Sequence, residues 1–253
     1  MQLKTILNRV QKHQSFIYAD MELKEQNGQL EVEVSIRARS NSRPACSVCG
    51  RKCSGYDTLP VRRFEFIPFW GILVYFVYAM RRVDCPDCGI KVERVPWADG
   101  KRTVPHAYAC FLARWAKQLN WSQVAEAFRT SWYTVYSSVE IVVQWGRAHV
   151  DLDGITAIGV DELCWGRWCT RAMRSRIEPM KQVAGMLRRH RELILNWFRA
   201  KKEFSSGVVE GLNAKAKLTT RKAYGFKGFK TLELALYHNL GALPQPIEAH
   251  KFF

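Results

Sequence analysis

The sequence predicts an α+β fold, β-rich in its amino-terminal part and helical beyond it. Leu30 to Ala38 alternates apolar and polar side chains with period two, the pattern of a half-buried strand. Two Cys-x-x-Cys pairs, Cys46 with Cys49 and Cys85 with Cys88, bracket an aromatic and β-branched stretch from Phe64 to Tyr78. That composition suits a hairpin. After Pro105 the apolar residues recur every three or four positions, the period of one face of a helix.

Taken in order, the hairpin between the cysteine pairs is expected to turn near Trp70 and Gly71. Tyr108, Phe111, Leu112, Trp115 and Leu119 then mark one amphipathic helix. A short helix is expected from about Ser122 to Phe128, and a third carries Val135, Val139 and Val142 with Ser131 as its N-cap. Ile155 to Leu163 is an apolar run ending in two acids and reads as a buried strand. From about Thr170 the chain reads as helical, except for SSGVVEGLN and the region of Gly225 and Gly228. The expected domains are 1–104, holding the cysteine module, 105–150, holding the three helices, and 151–253.

Composition bounds the function. At 253 residues and 47% hydrophobic content the chain can bury one large core or two to three small ones. Its longest apolar run, Phe69 to Met80, is a dozen residues long, against the roughly 20 of a membrane span. No membrane association is expected, and the first residues lack a secretory apolar core and cleavage site. A cytoplasmic location follows as the expectation. Net charge is +16, from 39 Lys plus Arg against 23 Asp plus Glu. From Arg171 to Phe253 there are 17 Lys or Arg against 6 Glu, so most of the excess sits in the last third. A polyanion, nucleic acid first, is the partner such an excess suits.

Eight cysteines without an export signal favour a metal site over disulfides. Each Cys-x-x-Cys lets two thiolates bind one cation from a tight turn, and a hairpin between the pairs can bring all four together tetrahedrally. Zinc is the expected structural metal, held by Cys46, Cys49, Cys85 and Cys88. Gly50 and Gly89 follow the pairs and suit the tight turn of such a knuckle. A redox pair or merely buried thiols is the plainer alternative. Cys53 is a possible competitor of Cys49 that makes no further x-x pair, and Cys110 falls on the apolar side of its helix.

The three helices from about His106 to Gly146 have the size of a helix-turn-helix. Trp132, Tyr133, Thr134, Tyr136 and Ser137, near the start of the third, are the side chains placed to reach a DNA major groove. An ordinary three-helix bundle is the alternative; the basic charge and the cysteine module upstream favour DNA. Asp161 and Glu162 end the expected strand at 155–163, where carboxylates can hold a divalent cation, and Glu210 follows in SSGVVEGLN with Ser205 or Ser206 as cap. Taken singly, each acid is better explained by a surface or capping role than as a metal ligand. In RKAYGFKGF, Tyr224, Phe226 and Phe229 stand among Lys and Arg, a pattern able to stack on unpaired bases or to anchor a loop.

At these motifs the sequence resembles the DDE insertion-sequence transposases of the ISL-three family. The matching segments are CSVCG, RRVDCPDCG, LARWAKQLNWSQVAEAF, AIGVDELCWGR, TRAMRSRIEPMKQVAGML, SSGVVEGLNAKAKLTTRKAYGF and ALYHNLGALP. The resemblance implies a zinc ribbon, a helix-turn-helix and an RNase H-like domain that binds magnesium through Asp, Asp and Glu. Asp161 resembles the first of these carboxylates and Glu210 the last. The second has no counterpart, because no Asp follows Asp161 and only 49 positions separate it from Glu210. In the family, the residues after WGR continue into further strands and the second Asp. Here Trp165-Gly166-Arg167 runs straight into what resembles the late helical segment, which implies an internal deletion near Arg167 to Cys169 and a remnant RNase H-like domain.

The expected function is therefore a transposase-like protein that binds the terminal inverted repeats of double-stranded insertion-sequence DNA, with strand transfer lost. Intact transposase or a second copy of the chain are the other partners this reading admits. The alternatives are a minimal magnesium-dependent nuclease or transposase, for which alone magnesium is needed, and a zinc-stabilised RNA-binding or protein-interaction module.

Overall fold

Long strands and a metal-type cysteine cluster organise the first part of the protein, and helices the rest. The computed structural model describes residues 3–26, 28–151, 153, 165–199, 206–222, 226 and 228–246. The chain divides into two units, one of Met1–Ala148 with Leu243–Phe253 and one of His149–Ala242.

In the first unit, helix α1 (Leu3–Val10) precedes strands β1 (Phe16–Gln26) and β2 (Gln29–Ala38), an antiparallel pair. Strands β3 (Ser54–Phe69) and β4 (Ile72–Cys85) form the expected hairpin, and β5 (Gly89–Val92) folds back on the end of β4. The hairpin turn consists of Trp70 and Gly71, with φ of 52° and 75°. Two central residues with positive φ match the twist of the flanking strands, which is why such turns favour tight hairpins. A tryptophan in the left-handed region is uncommon, and Trp70 is left 87% exposed at the tip.

The strand order is β1-β2-β4-β3. One edge of β4 pairs with β3; the other is shared, pairing in parallel with β2 at Leu73 to Val77 and antiparallel with β5 at Arg82 to Cys85. The alternation seen in the sequence buries Val34 and Ile36 of β2 with Phe64, Phe66, Val74, Phe76 and Tyr78 in one core. Trp97 closes that core, its ring edge-on to Phe16, Phe64 and Tyr78 at 4.9, 6.0 and 5.5 Å. Such edge-to-face pairs add to the burial of the large rings themselves.

Three helices follow: α2 (His106–Gln118), α3 (Trp121–Ala127) and α4 (Trp132–His149). Their buried side chains include Tyr108, Leu112, Val124, Val135, Val139 and Val143, the apolar faces that the period predicts. The last turn of α4 carries a buried glycine, Gly146, at which a Cβ would lie 2.7 Å from Leu243 Cβ and 2.9 Å from the Pro244 carbonyl oxygen. Only glycine lets the returning chain approach so closely.

In the second unit, α5 (Trp165–Arg174) and α6 (Glu178–Arg189) form a helical hairpin around Cys169, Ala172 and Ala184, with Trp168, Met180 and Leu187 packed alongside. The Ser175 hydroxyl donates to the Ala172 carbonyl at 2.7 Å and accepts from the Ile177 N–H at 3.3 Å, closing the turn. Pro179 opens α6, where its missing N–H costs nothing. Helices α7 (Arg191–Arg199), α8 (Ser206–Lys222) and α9 (Phe229–Leu240) complete the described residues. The strand expected at Ile155 to Leu163 lies outside them.

Candidate metal centre and nucleic-acid interface

The Sγ atoms of Cys46, Cys49, Cys85 and Cys88 lie within 4.8 Å of one another. A tetrahedral zinc with Zn–S bonds near 2.3 Å has sulfur–sulfur edges of about 3.8 Å, so small side-chain movements suffice to bring all four onto one ion. Local backbone geometry sets this up twice. In the first knuckle the Gly50 N–H donates to the Cys46 carbonyl at 2.9 Å and the Cys46 N–H to the Arg51 carbonyl at 2.8 Å. In the second, Cys85 pairs with Gly89 across the turn between β4 and β5. Gly50 and Gly89 have φ of 75° and 70°, a region that an L side chain resists.

The electrostatics fit a cation. Backbone N–H groups of Cys49 and Val48 hold the Cys46 thiol below its ordinary range, against burial. Burial works against the Cys85 thiolate as well, but N–H groups of Asp87 and Cys88 and the thiols of Cys49 and Cys53 bring it down to about 6. Cys88, crowded by Cys49 and partly buried, is pushed up to about 12. A divalent ion held here would favour the thiolate form of all four cysteines, since metal binding drives such protons off. Cys53 packs beside the cluster but stays a neutral thiol. Burial and its neighbour Cys85 raise it to about 11, and it donates to the Arg51 carbonyl at 3.4 Å. Cys110 is buried on α2.

Glu93 braces the site, and the sequence reading passed over it. Its side chain is fully buried and accepts from the Tyr78 hydroxyl at 2.6 Å, the Arg81 N–H at 2.8 Å and Arg81 Nη2 at 2.6 Å. Its backbone bridges to Cys46, and the Arg94 N–H donates to the Ala45 carbonyl at 2.7 Å. One satisfied ion pair thus pins the first knuckle to β4. The only sequence signal was an acid amid basic and apolar residues, which does not separate it from a surface glutamate. Arg51 and Asp87 join the two knuckle tips at 2.7 Å, but both are exposed, where such a pair contributes little.

The three-helix segment has the caps that make short helices persist. Asn120 and Gln123 form a reciprocal capping box at the start of α3, the Gln123 N–H donating to Asn120 Oδ1 at 2.9 Å and the Asn120 N–H to Gln123 Oε1 at 3.2 Å. The N-x-x-Q signature of such a box is visible in the sequence. At the other end Arg129 takes φ of 52°, the Thr130 N–H donates to the Ala125 carbonyl at 2.9 Å and the Arg129 N–H to that of Glu126 at 3.2 Å. This pattern ends a helix with a left-handed residue, a place usually held by glycine. Ser131 caps α4 as expected, its Oγ accepting from the Thr134 N–H at 2.9 Å.

Of the expected groove-facing residues, Trp132 and Tyr133 are exposed and Tyr136 is half-buried against them. Thr134 and Ser137 are engaged locally, Thr134 Oγ1 with Ser131 at 2.8 Å and Ser137 Oγ with the Thr134 carbonyl at 3.1 Å. Glu210 sits exposed on α8, and Asp161 and Glu162 lie outside the described residues. Among the described residues the four cysteines are the one group of three or more potential ligands that converges. Phe229 is exposed at the start of α9, and Phe226 is half-buried; Tyr224 lies outside the described residues.

Comparison with known proteins finds matches to part of the chain. Residues 158–236 match the model of the ISL-three family of DDE transposases, described as "Transposase". More particularly, it is 32% identical over 137 residues to the transposase for insertion sequence element IS1557 of Mycobacterium tuberculosis, in the CDC 1551 / Oshkosh and the ATCC 25618 / H37Rv strains alike. The match covers 52% of this chain and 30% of each relative, so the chain spans under a third of the curated relatives it matches. No solved structure matches the chain. Among the described residues no helix is long and apolar enough to cross a membrane.

Proposed function

We propose that the protein binds the ends of an insertion-sequence element as double-stranded DNA, using a zinc-stapled module and a helix-turn-helix, and that it no longer carries out strand transfer. The observation that supports the binding half most directly is the union, in one unit, of four converging thiols and a capped three-helix segment. Zinc, bound by Cys46, Cys49, Cys85 and Cys88, supplies structural crosslinking. The helices α2 to α4 present the start of α4 to the major groove. The net charge of +16 supplies the phosphate attraction that brings duplex and protein together.

The loss of catalysis rests on sequence. Two-metal phosphoryl transfer needs several carboxylates around paired cations, and no Asp follows Asp161. Were Asp161 and Glu162 neighbours on a strand, as the sequence pattern suggests, their side chains would point to opposite faces, and Glu162 would not replace the missing ligand. An internal deletion with its junction near Arg167 to Cys169 accounts for this. The product is a binder without a cutter, able to occupy ends that an intact transposase needs.

The test uses the purified, zinc-loaded chain and the inverted repeats that flank its reading frame. Preferential retention of the repeat duplex over a scrambled duplex, weakening steeply with salt, is expected. Equal affinity for both duplexes would overturn the binding half. Magnesium-dependent nicking that disappears in Asp161→Ala or Glu210→Ala would overturn the loss of catalysis.

A further inference from the structure

The start of α4 is chemically unusual for a surface that reads DNA. From Ser131 to Val139 the sequence is SWYTVYSSV, without Arg, Lys, Asn or Gln. These are the side chains that recognise purines by paired hydrogen bonds to their major-groove edges. The serine and threonine hydroxyls are also engaged within the helix. Ser131 caps the Thr134 N–H at 2.9 Å, and Ser137 and Ser138 donate to the Thr134 carbonyl at 3.1 and 2.7 Å. Val135, Ser138 and Val139 are buried.

What α4 offers outward is aromatic. Trp132 is 43% and Tyr133 71% exposed. The rings of Trp132 and Tyr136 lie 5.5 Å apart and 18° from parallel, those of Tyr133 and Tyr136 6.2 Å apart and 24° from parallel. Trp121 of α3 supports them from beneath, 5.7 Å from Trp132 and 6.0 Å from Tyr136. Rings held by one another lose little freedom on binding, so the slab meets its partner already ordered.

The apolar group in the major groove is the C5-methyl of thymine. We infer that Trp132 and Tyr133 read the target duplex through thymine methyl groups, so that sequence preference comes from methyl contact and not from hydrogen bonds to purine edges. This rests on the proposed docking of α4 in the major groove. Burying one methyl on an aromatic face favours thymine over uracil by about fourfold.

The experiment selects binding sites for the zinc-loaded full chain from a randomised duplex library. It then compares each selected duplex with the same duplex carrying deoxyuridine for thymidine, which deletes only the methyl. The selected sites are expected to share a cluster of thymines, and uracil is expected to weaken binding about fourfold per contacted methyl. Tyr133→Ala, at an exposed position, should erase most of that penalty and leave the salt dependence unchanged, because no phosphate contact is removed. Tyr133→Phe, which keeps the ring, should retain the penalty. Selected duplexes that bind equally well with thymine or uracil overturn this inference and leave the docking of α4 standing. A uracil penalty that persists undiminished in both Tyr133→Ala and Trp132→Leu overturns it too. Failure to enrich any duplex, preference for single strands, or an aromatic patch that only joins two copies of the chain overturns both.

Discussion

Two ends of the same sheet handle buried charge in opposite ways. At the cysteine end, Glu93 is fully buried, yet every demand of its carboxylate is met by Arg81 and the Tyr78 hydroxyl. Where β3 meets α2, Glu65 Oε1 is buried facing the Tyr108 hydroxyl and Thr130 Oγ1, but none of the three is in good hydrogen-bond geometry. Burial pushes the Glu65 carboxyl up, an effect the Thr130 and Tyr108 hydroxyls only partly offset. A satisfied buried carboxylate fixes geometry; an unsatisfied one opposes the fold that encloses it. The sheet is thus braced at its cysteine end and carries a poorly matched carboxyl group toward the helices.

The largest expected effect that tests this contrast is at the cysteines. Chelation, or Cys85→Ser, should abolish the bound metal and melt the β-rich module, because structural zinc sites contribute on the order of 10 kcal/mol to folding. Metal content and circular dichroism with and without chelator measure it. An unchanged β-signal and melting temperature would mean that the sheet needs no metal and that the braced end is braced by Glu93 alone. Next in size is Glu93→Ala, which leaves Arg81 and Tyr78 facing a buried gap. Removing one member of a buried pair costs about 3–5 kcal/mol, read as a lowered denaturant midpoint. A cost below about 1 kcal/mol, the range of exposed pairs, would erase the distinction between the two ends.

Much of this was legible because it is local. The alternation of Leu30 to Ala38, the Trp70-Gly71 turn and the glycines after each cysteine pair are short-range signals, and β2, the hairpin and both knuckles appear where those signals lie. Ser131 was equally readable as a cap. The parallel pairing of β2 with β4 was not, since it joins Glu31–Ser35 to Leu73–Val77 across an intervening strand and a cysteine knuckle, and no periodicity encodes such a partner. Glu93 and Glu65 look alike in sequence, each an acid among apolar and basic neighbours, and differ only in what the fold brings to them. Arg129 in a left-handed helix end escaped because glycine is the residue that announces such a site. At the candidate site the four thiols were visible as a spacing. The commitment of Thr134 and Ser137 to their own helix was not, because a free hydroxyl and a capped one have the same letter.

The smallest effect tests the strained end directly. Glu65→Gln keeps the shape of the side chain and removes the charge, so the variant should be more stable than the parent near neutral pH by about 1 kcal/mol, the lower end of the cost of an unsatisfied buried polar group. The sign follows from linkage. The folded-state pKa of Glu65 is raised above its unfolded value, so its favourable contribution is fully present below the unfolded pKa and is lost as pH rises through the folded one. The melting-temperature advantage of Glu65→Gln should therefore be largest at neutral pH and shrink as pH falls through the folded pKa, where the parent carboxyl takes up a proton and becomes neutral like the amide. An advantage independent of pH would assign the effect to packing. A loss of stability at neutral pH would mean that the Glu65 charge is satisfied after all, and that both ends of the sheet are braced in the same way.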